Sequence, residues 1–223
     1  MKILIVTATN IEAQYFFRTK QTPVSQTPSL IQQPGNNQPD LLITGIGQAM
    51  MSYGLTKILT RHSYDFVINA GIAGAYNHSL SKNDIVMTTQ EEFADLGNYY
   101  SDTIHTIFDK HLHAPDAFPF RNGKLFCPEQ NIPAHAGSIK KVKGITVNAL
   151  NRTPTAIQLI RDKFKPDIET MEGAAFFYCC LNEKVPFIQI RGISNYIEET
   201  NTKNWSIEKS LKKLSDIIYH QFV

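Results

Sequence analysis

The sequence predicts an α/β fold of three layers, with helices on both faces of a central mixed sheet. Two observations carry this expectation. Apolar runs such as KILIVT (2–7) and DFVINAGIAGAY (65–76) lack polar alternation, as strands covered on both faces do. Between such runs lie segments whose apolar residues recur at helical spacing, and alternation of this kind builds a sheet flanked by helices. With 223 residues, no internal repeat and no linker, the chain reads as one domain, 1–223.

The elements follow in order. KILIVT opens the sheet, and a short helix is expected over 10–19. Residues 22–40, with Pro23, Pro28, Pro34 and Pro39, read as a polar hairpin or irregular excursion, because the prolines exclude a long helix. LLITGIG (41–47) is a strand ending in a glycine turn. GQAMMSYGLTKILTR (47–61) is a helix with Met50, Leu55, Ile58 and Leu59 facing inward. DFVINAGIAGAY and DIVMTTQEEF (84–93) are strands. Residues 94–136 show no clear period, and one helix is expected near 101–111. A strand follows within 136–149. TPTAIQLIRDKF is a helix with Pro154 in its first turn. DIETMEGAAFFYCCLNEK runs from a short strand into a helix, VPFIQIRGISN (185–195) is a buried strand, and SIEKSLKKLSDIIYHQF closes the chain as an amphipathic helix.

Composition excludes several function classes. The formal net charge of +2 gives no footprint for nucleic acid or an anionic membrane. The KSLKKL run is the wet face of the last helix. No apolar run approaches the roughly 20 residues of a membrane span. MKILIVTAT lacks a small-residue cleavage site, so it reads as a core strand. Three cysteines, Cys127, Cys179 and Cys180, form no disulfide framework and suggest the cytoplasm. His105, His111 and His113 lack carboxylates or cysteines at ligand spacing, so no metal and no cofactor is expected.

Chemistry is expected beyond the carboxyl ends of the strands. Four segments deliver polar or small residues there: the first strand leads to Glu12, the second to Gly45 and Gly47, the third to Gly71 and Gly74, and the last to Ser194 and Asn195. Glu172 sits among apolar neighbours at a helix start, where a buried carboxylate is costly without partners. Plainer readings stand beside these. Glu12 and Glu172 also read as first-turn carboxylates favouring the helix dipole. The glycines read as ordinary turns, and Asn195 as an amide bonding local backbone. GIG and GIAG have the spacing of neither a dinucleotide fingerprint nor a P-loop.

The ordered segments MKILIVTATNIEAQ, TGIGQAM, INAGIAGAY, NDIVMTTQEEFADLGNY, IETMEGAAFFYCC and VPFIQIRGISNY resemble the purine nucleoside phosphorylase and nucleosidase superfamily. The chain is more similar to the nucleosidase branch, near the methylthioadenosine/S-adenosylhomocysteine nucleosidases. ETMEGAAFFY, SNY and the later Asn204–Trp205 make it more similar still to futalosine hydrolases, which release hypoxanthine from futalosine for menaquinone synthesis. The resemblance implies a nucleoside phosphorylase-like fold, a small purine nucleoside substrate and a homo-oligomer. It implies Glu12 as the base that deprotonates water and Met171 and Glu172 under the ribose. It places Ala73 and Gly74 in the pocket loop, Leu150 and Asn151 against the purine, Trp205 near the ribose and its 5′ side, and Asn195 at the purine where adenine-specific relatives carry aspartate.

An amide at 195 can donate to a 6-oxo group and accept from a protonated N7, but it is not an acid. This argues for hypoxanthine and against adenine. No Gly-Asp-Pro-x-Arg segment appears, Arg18 is the first arginine, and Glu12 would repel phosphate, so water is the expected nucleophile. The 5′ carboxylate of futalosine calls for a cation, for which Arg121, Arg152 and the histidines near 111 are candidates, with residues 115–120 as a slot. A methylthioadenosine or S-adenosylhomocysteine nucleosidase and a non-catalytic nucleoside binder are the alternatives.

Overall fold

The computed structural model describes residues 1–17, 23–33, 38–150 and 152–223. Its strands are β1 (Ile3–Thr7), β2 (Ser29–Ile31), β3 (Asp40–Ile43), β4 (Phe66–Ala75), β5 (Ile85–Phe93), β6 (Gly97–Tyr99), β7 (Ile104–Thr106), β8 (Leu125–Phe126), β9 (Lys140–Thr146), β10 (Ile168–Thr170) and β11 (Phe187–Tyr196). Its helices are α1 (Asn10–Ala13), α2 (Gln48–Leu59), α3 (Pro154–Phe164), α4 (Gly173–Asn182) and α5 (Ile207–Gln221). No described helix is long and apolar enough to cross a membrane.

The main sheet is mixed, in the order β10-β9-β5-β11-β4-β1-β3-β2. Parallel pairs join β1 to β3 and β4, and β4 to β11, while β11 meets β5 antiparallel. β10 pairs with both β9 and β4, so five strands (β4, β11, β5, β9 and β10) close a ring. That closure carries the end of β10 to the ends of β4 and β11.

The apolar runs become strands because both faces are covered. Leu4, Ile5, Val6, Val67, Ile68, Ile188 and Ile190 are wholly buried. In β11 the faces separate cleanly. Gly173 of α4 abuts the Gln189 side chain, whereas Gly192 abuts Ser210 of α5. Residues of odd and even number point to opposite faces, so α4 and α5 lie on opposite sides of this strand. α2 packs on α4, completing that layer. Phe176, Phe177 and Phe187 meet edge to face at its centre.

Three expectations are corrected. In α2, Leu55 and Ile58 are buried as expected, but Met51 and not Met50 completes the stripe, and Met50 is half exposed. Positions 51, 55 and 58 share one helical face, and 50 lies about 100° away. No helix forms near 101–111: Ile104–Thr106 pairs with Gly97–Tyr99, and the Asp109 carboxylate accepts from Thr106 N and Oγ1 at 2.8 Å, which favours a turn. The helix expected over 10–19 is one α-turn followed by a 3₁₀ turn, Gln14–Phe16.

Candidate active site

Glu12 is held by its own helix start. Thr9 is the N-cap of α1, its hydroxyl accepts from Glu12 N at 3.2 Å, and Glu12 folds back in a capping box. Its Oε2 accepts from Ala8 N at 3.0 Å, Thr9 N at 3.1 Å and Thr9 Oγ1 at 3.2 Å. Oε1 turns outward and accepts from Ile72 N at 3.2 Å. Glu12 thus stands in the first turn as expected, but buried and not exposed as the plainer reading has it, and the same geometry sets its carboxylate in the wall of a cavity.

Glu172 occupies the N-cap of α4 but makes no side-chain cap bond. It reaches instead to Gly47 N, at 2.9 Å, across 125 positions of sequence. Burial is the main cause that raises its pKa to about 7, helped by the charge of Glu12 and opposed by Arg191.

Arg191 is one of the residues that sequence reasoning missed. It stands in β11 opposite Gly71 of β4, is 2% exposed, and its Nε and Nη2 have no hydrogen-bond partner among the described residues. A Cβ placed on Gly71 would collide with both Arg191 Nη1 and Glu12 Oε1, so the two groups flank one point. Its charge also acts on Glu172 and on wholly buried Glu91. Glu91 lies behind it, accepting from Gln189 Nε2 at 2.7 Å and Thr146 Oγ1 at 3.0 Å, and burial raises its pKa to about 7. The signal was legible: an arginine inside IQIRGIS is too costly to bury without carboxylates nearby.

Asn195 follows a bulge, where β11 and β4 shift register between Ile193 and Asn195. Its Nδ2 donates to Tyr196 O at 2.9 Å and its Oδ1 accepts from Ser194 Oγ at 2.7 Å. A carbonyl only accepts, so the Tyr196 contact fixes which amide atom is nitrogen. Each end of the amide makes one local bond and retains one: a single donor hydrogen and a single acceptor lone pair.

Glu12, Glu172 and Asn195 line one cavity of about 260 Å³, at the carboxyl ends of β1, β4, β10 and β11, whereas Arg191 and Glu91 are not among its wall residues. Glu12, Ala73, Gly74, Leu150, Met171, Glu172, Asn195 and Trp205, all singled out in the sequence, contribute to its wall. Asn151 lies outside the described residues, as does Arg18. Trp205 anchors its ring by donating to Glu199 O at 3.2 Å. The wall also holds two groups to which sequence reasoning gave no role at the base: Glu169, and Arg152, whose Nη1 donates to Glu169 Oε1 at 2.8 Å. Arg152, one of several candidates for the cation on the 5′ side, is thus engaged by a carboxylate. Arg121 and residues 116 and 118–120 instead line a groove of about 890 Å³, and Pro115 and His111 one of about 610 Å³. Those grooves are larger, but only the smaller cavity gathers buried carboxylates, an arginine and an oriented amide, the features of a reaction site.

Residues 2–219 match the model of the phosphorylase superfamily. A 5′-methylthioadenosine/S-adenosylhomocysteine nucleosidase of Anoxybacillus flavithermus is 30% identical over 180 residues, covering 78% of this chain and 73% of the relative. The one from Maridesulfovibrio salexigens is 29% identical over 185 residues, covering 78% and 74%. Among solved structures, a Helicobacter pylori methylthioadenosine/S-adenosylhomocysteine nucleosidase bound to butyl-thio-DADMe-Immucillin-A has a TM-score of 0.80 at 17% identity, covering 99% of this chain and 97% of that one. A futalosine hydrolase mutant of the same organism has a TM-score of 0.78 at 17% identity, covering 98% and 97%.

Proposed function

This chain belongs to the phosphorylase superfamily, on the side of its nucleosidases, and from that premise we propose that it hydrolyses the N-glycosidic bond of a 6-oxopurine nucleoside, futalosine. The observation that carries the base assignment is Asn195, whose amide is oriented by Tyr196 and retains one donor and one acceptor. That pair complements the O6 and protonated N7 of hypoxanthine, whereas adenine with N7 protonated presents two donors there and leaves the amide N–H unpaired.

In the proposed reaction the C1′–N9 bond breaks with its electron pair passing to the purine. Glu172 accepts from the ribose hydroxyls and faces the developing positive charge. Water adds to C1′ and gives a proton to Glu12 Oε1, which balances the proton the purine takes from water. Arg191, buried and not part of the cavity wall, acts through its charge, which opposes protonation of Glu172. Two carboxylates beside that arginine disfavour phosphate as the nucleophile. The chain works as a homo-oligomer in this reading, supported by the exposed apolar side chains of Ile46, at the cavity wall, and of Met50 and Tyr53 in α2; sedimentation checks this.

The test is turnover in phosphate-free buffer of futalosine against its 6-amino analogue. Faster release of hypoxanthine supports the reading. Faster release of adenine overturns it in favour of a methylthioadenosine/S-adenosylhomocysteine nucleosidase, the reading that the names of the relatives near 30% identity support.

A further inference from the structure

Glu172 holds the N-cap of α4, where a side chain ordinarily accepts from the N–H two or three residues on. Its carboxylate instead reaches Gly47 N, so the first turn of α4 needs other acceptors. Two threonines supply them. Gly173 N donates to Thr170 Oγ1 at 3.1 Å, and Ala174 N donates to Thr146 Oγ1 at 2.7 Å. Thr170 and Thr146 are paired across β10 and β9, and their hydroxyl oxygens stand 3.4 Å apart at the helix start.

Glu91 sets the direction of this cap. A hydroxyl has one hydrogen and two lone pairs. Thr146 Oγ1 gives its hydrogen to Glu91 Oε2 at 3.0 Å, which turns its lone pairs toward Ala174 N. Gln189 Nε2 donates to Glu91 Oε1 at 2.7 Å and holds the carboxyl at its other end. Two glycines make room for it: a Cβ on Gly144 or Gly173 would stand 2.5 or 2.1 Å from Oε1. Gly173 directly follows Glu172, so the Glu91 carboxyl lies against the backbone that carries Glu172. Burying a carboxylate wholly is costly, and packing alone would be met by an apolar residue.

We propose that Thr146 and Thr170, oriented by Glu91, are positioning residues that cap α4 in place of Glu172 and so leave its carboxylate free for the ribose. This rests on the nucleosidase reading above, in which Glu172 accepts from the ribose hydroxyls. Thr146 and Glu91 are not among the wall residues of the cavity, so they act on the substrate through Glu172. Without the Thr146 hydroxyl, Ala174 N is left unmet inside the protein, and the side chain in the N-cap position is Glu172. Its carboxylate then turns onto its own helix, away from Gly47 and the ribose.

The experiment measures kcat/KM for hypoxanthine release from futalosine and adenine release from 5′-methylthioadenosine, and carries the faster substrate into a double-mutant cycle of Thr146→Val with Glu172→Gln. Thr146→Val keeps the shape of the side chain and removes the hydroxyl. Alone it lowers kcat/KM roughly 10- to 100-fold, the range for a bond to a charged acceptor. In the Glu172→Gln background it costs less than about three-fold, because the carboxylate it would misdirect is already gone. Thr146→Ser, which restores the hydroxyl, recovers most of the lost rate. Release of neither base by the wild type would overturn the nucleosidase reading itself. A wild type that releases a base, with Thr146→Val harmless alone or equally costly in both backgrounds, would overturn only the positioning role. Should Thr146→Val fail to fold, Thr170→Val removes the neighbouring acceptor, and the same cycle decides.

Discussion

Glu12→Gln separates the structural from the chemical duty of one carboxylate. In the native site Oε2 takes three donors at 3.0–3.2 Å, and Oε1 takes Ile72 N at 3.2 Å beside Arg191. Glutamine has one oxygen, so its NH₂ must replace one of these acceptors. Turned toward the capping box it would leave two backbone N–H groups unmet; turned toward Ile72 it leaves one. The second arrangement costs less, so the cap survives and the NH₂ faces Arg191. Loss of one bond to a charged acceptor is worth about 1.5–3 kcal/mol. At about 2–4 °C per kcal/mol for a chain of this size, Tm falls by roughly 3–12 °C. Turnover falls further, by about 10²–10⁴, because the side chain that would accept the water proton is gone. The assay is hypoxanthine release well below both melting points, with binding of free hypoxanthine as the control. A kcat within three-fold of wild type, with the cap loss visible in Tm, would remove Glu12 from the chemistry and leave it a helix cap.

Three other outcomes are expected. Gly71→Ala drives a methyl against Arg191 and Glu12, so it should cost about 1–3 kcal/mol in denaturant melts and slow turnover at least about ten-fold, whereas Gly137→Ala, with nothing within 4 Å, should be neutral or slightly stabilising. Asn195→Asp sets an oxygen against Tyr196 O, 2.9 Å from the present nitrogen, so hypoxanthine release should drop about 100-fold without adenine release appearing; a clean switch to adenine would show that the amide orientation does not matter. Glu172 and Glu91, raised by burial to about 7, hold protons in the fold that the unfolded chain releases near 4.5, so stability should decline as pH rises from about 4.5 to 7. Burial is the largest single effect on Asp109 and raises its pKa, but the bonds and charge of Lys163 and Thr106 together outweigh it and lower the group to about 2, so it acts only at lower pH. Urea midpoints across pH 5–8 check the slope, which Glu91→Gln should flatten.

The legible part of the site follows from local physics. Glu12, Glu172 and Asn195 each stand where an apolar run stops, and a strand end in an α/β sheet is where side chains meet ligands. Residues 94–136 were less legible because their order comes from hairpin pairing of Gly97–Tyr99 with Ile104–Thr106 and from the Asp109 turn, neither of which has a helical or alternating period. Glu169 was overlooked because a charged residue in a three-residue strand looks like an exposed one until its neighbours are known.

The amino-acid order alone determined the alternation of buried strands and helices and the carboxylates and amide at the strand ends, because burial of an apolar run and the start of a helix depend on near neighbours. Tertiary structure decided the rest. Only the closure of β10 onto β4 brings Glu169 beside Gly74, only pairing of β11 with β4 sets Arg191 against Gly71 and Glu12, and only the bulge before Asn195 gives its amide a fixed orientation. Electrostatic partnership in a buried site depends on distance in space, and these partners come from strands far apart in the chain.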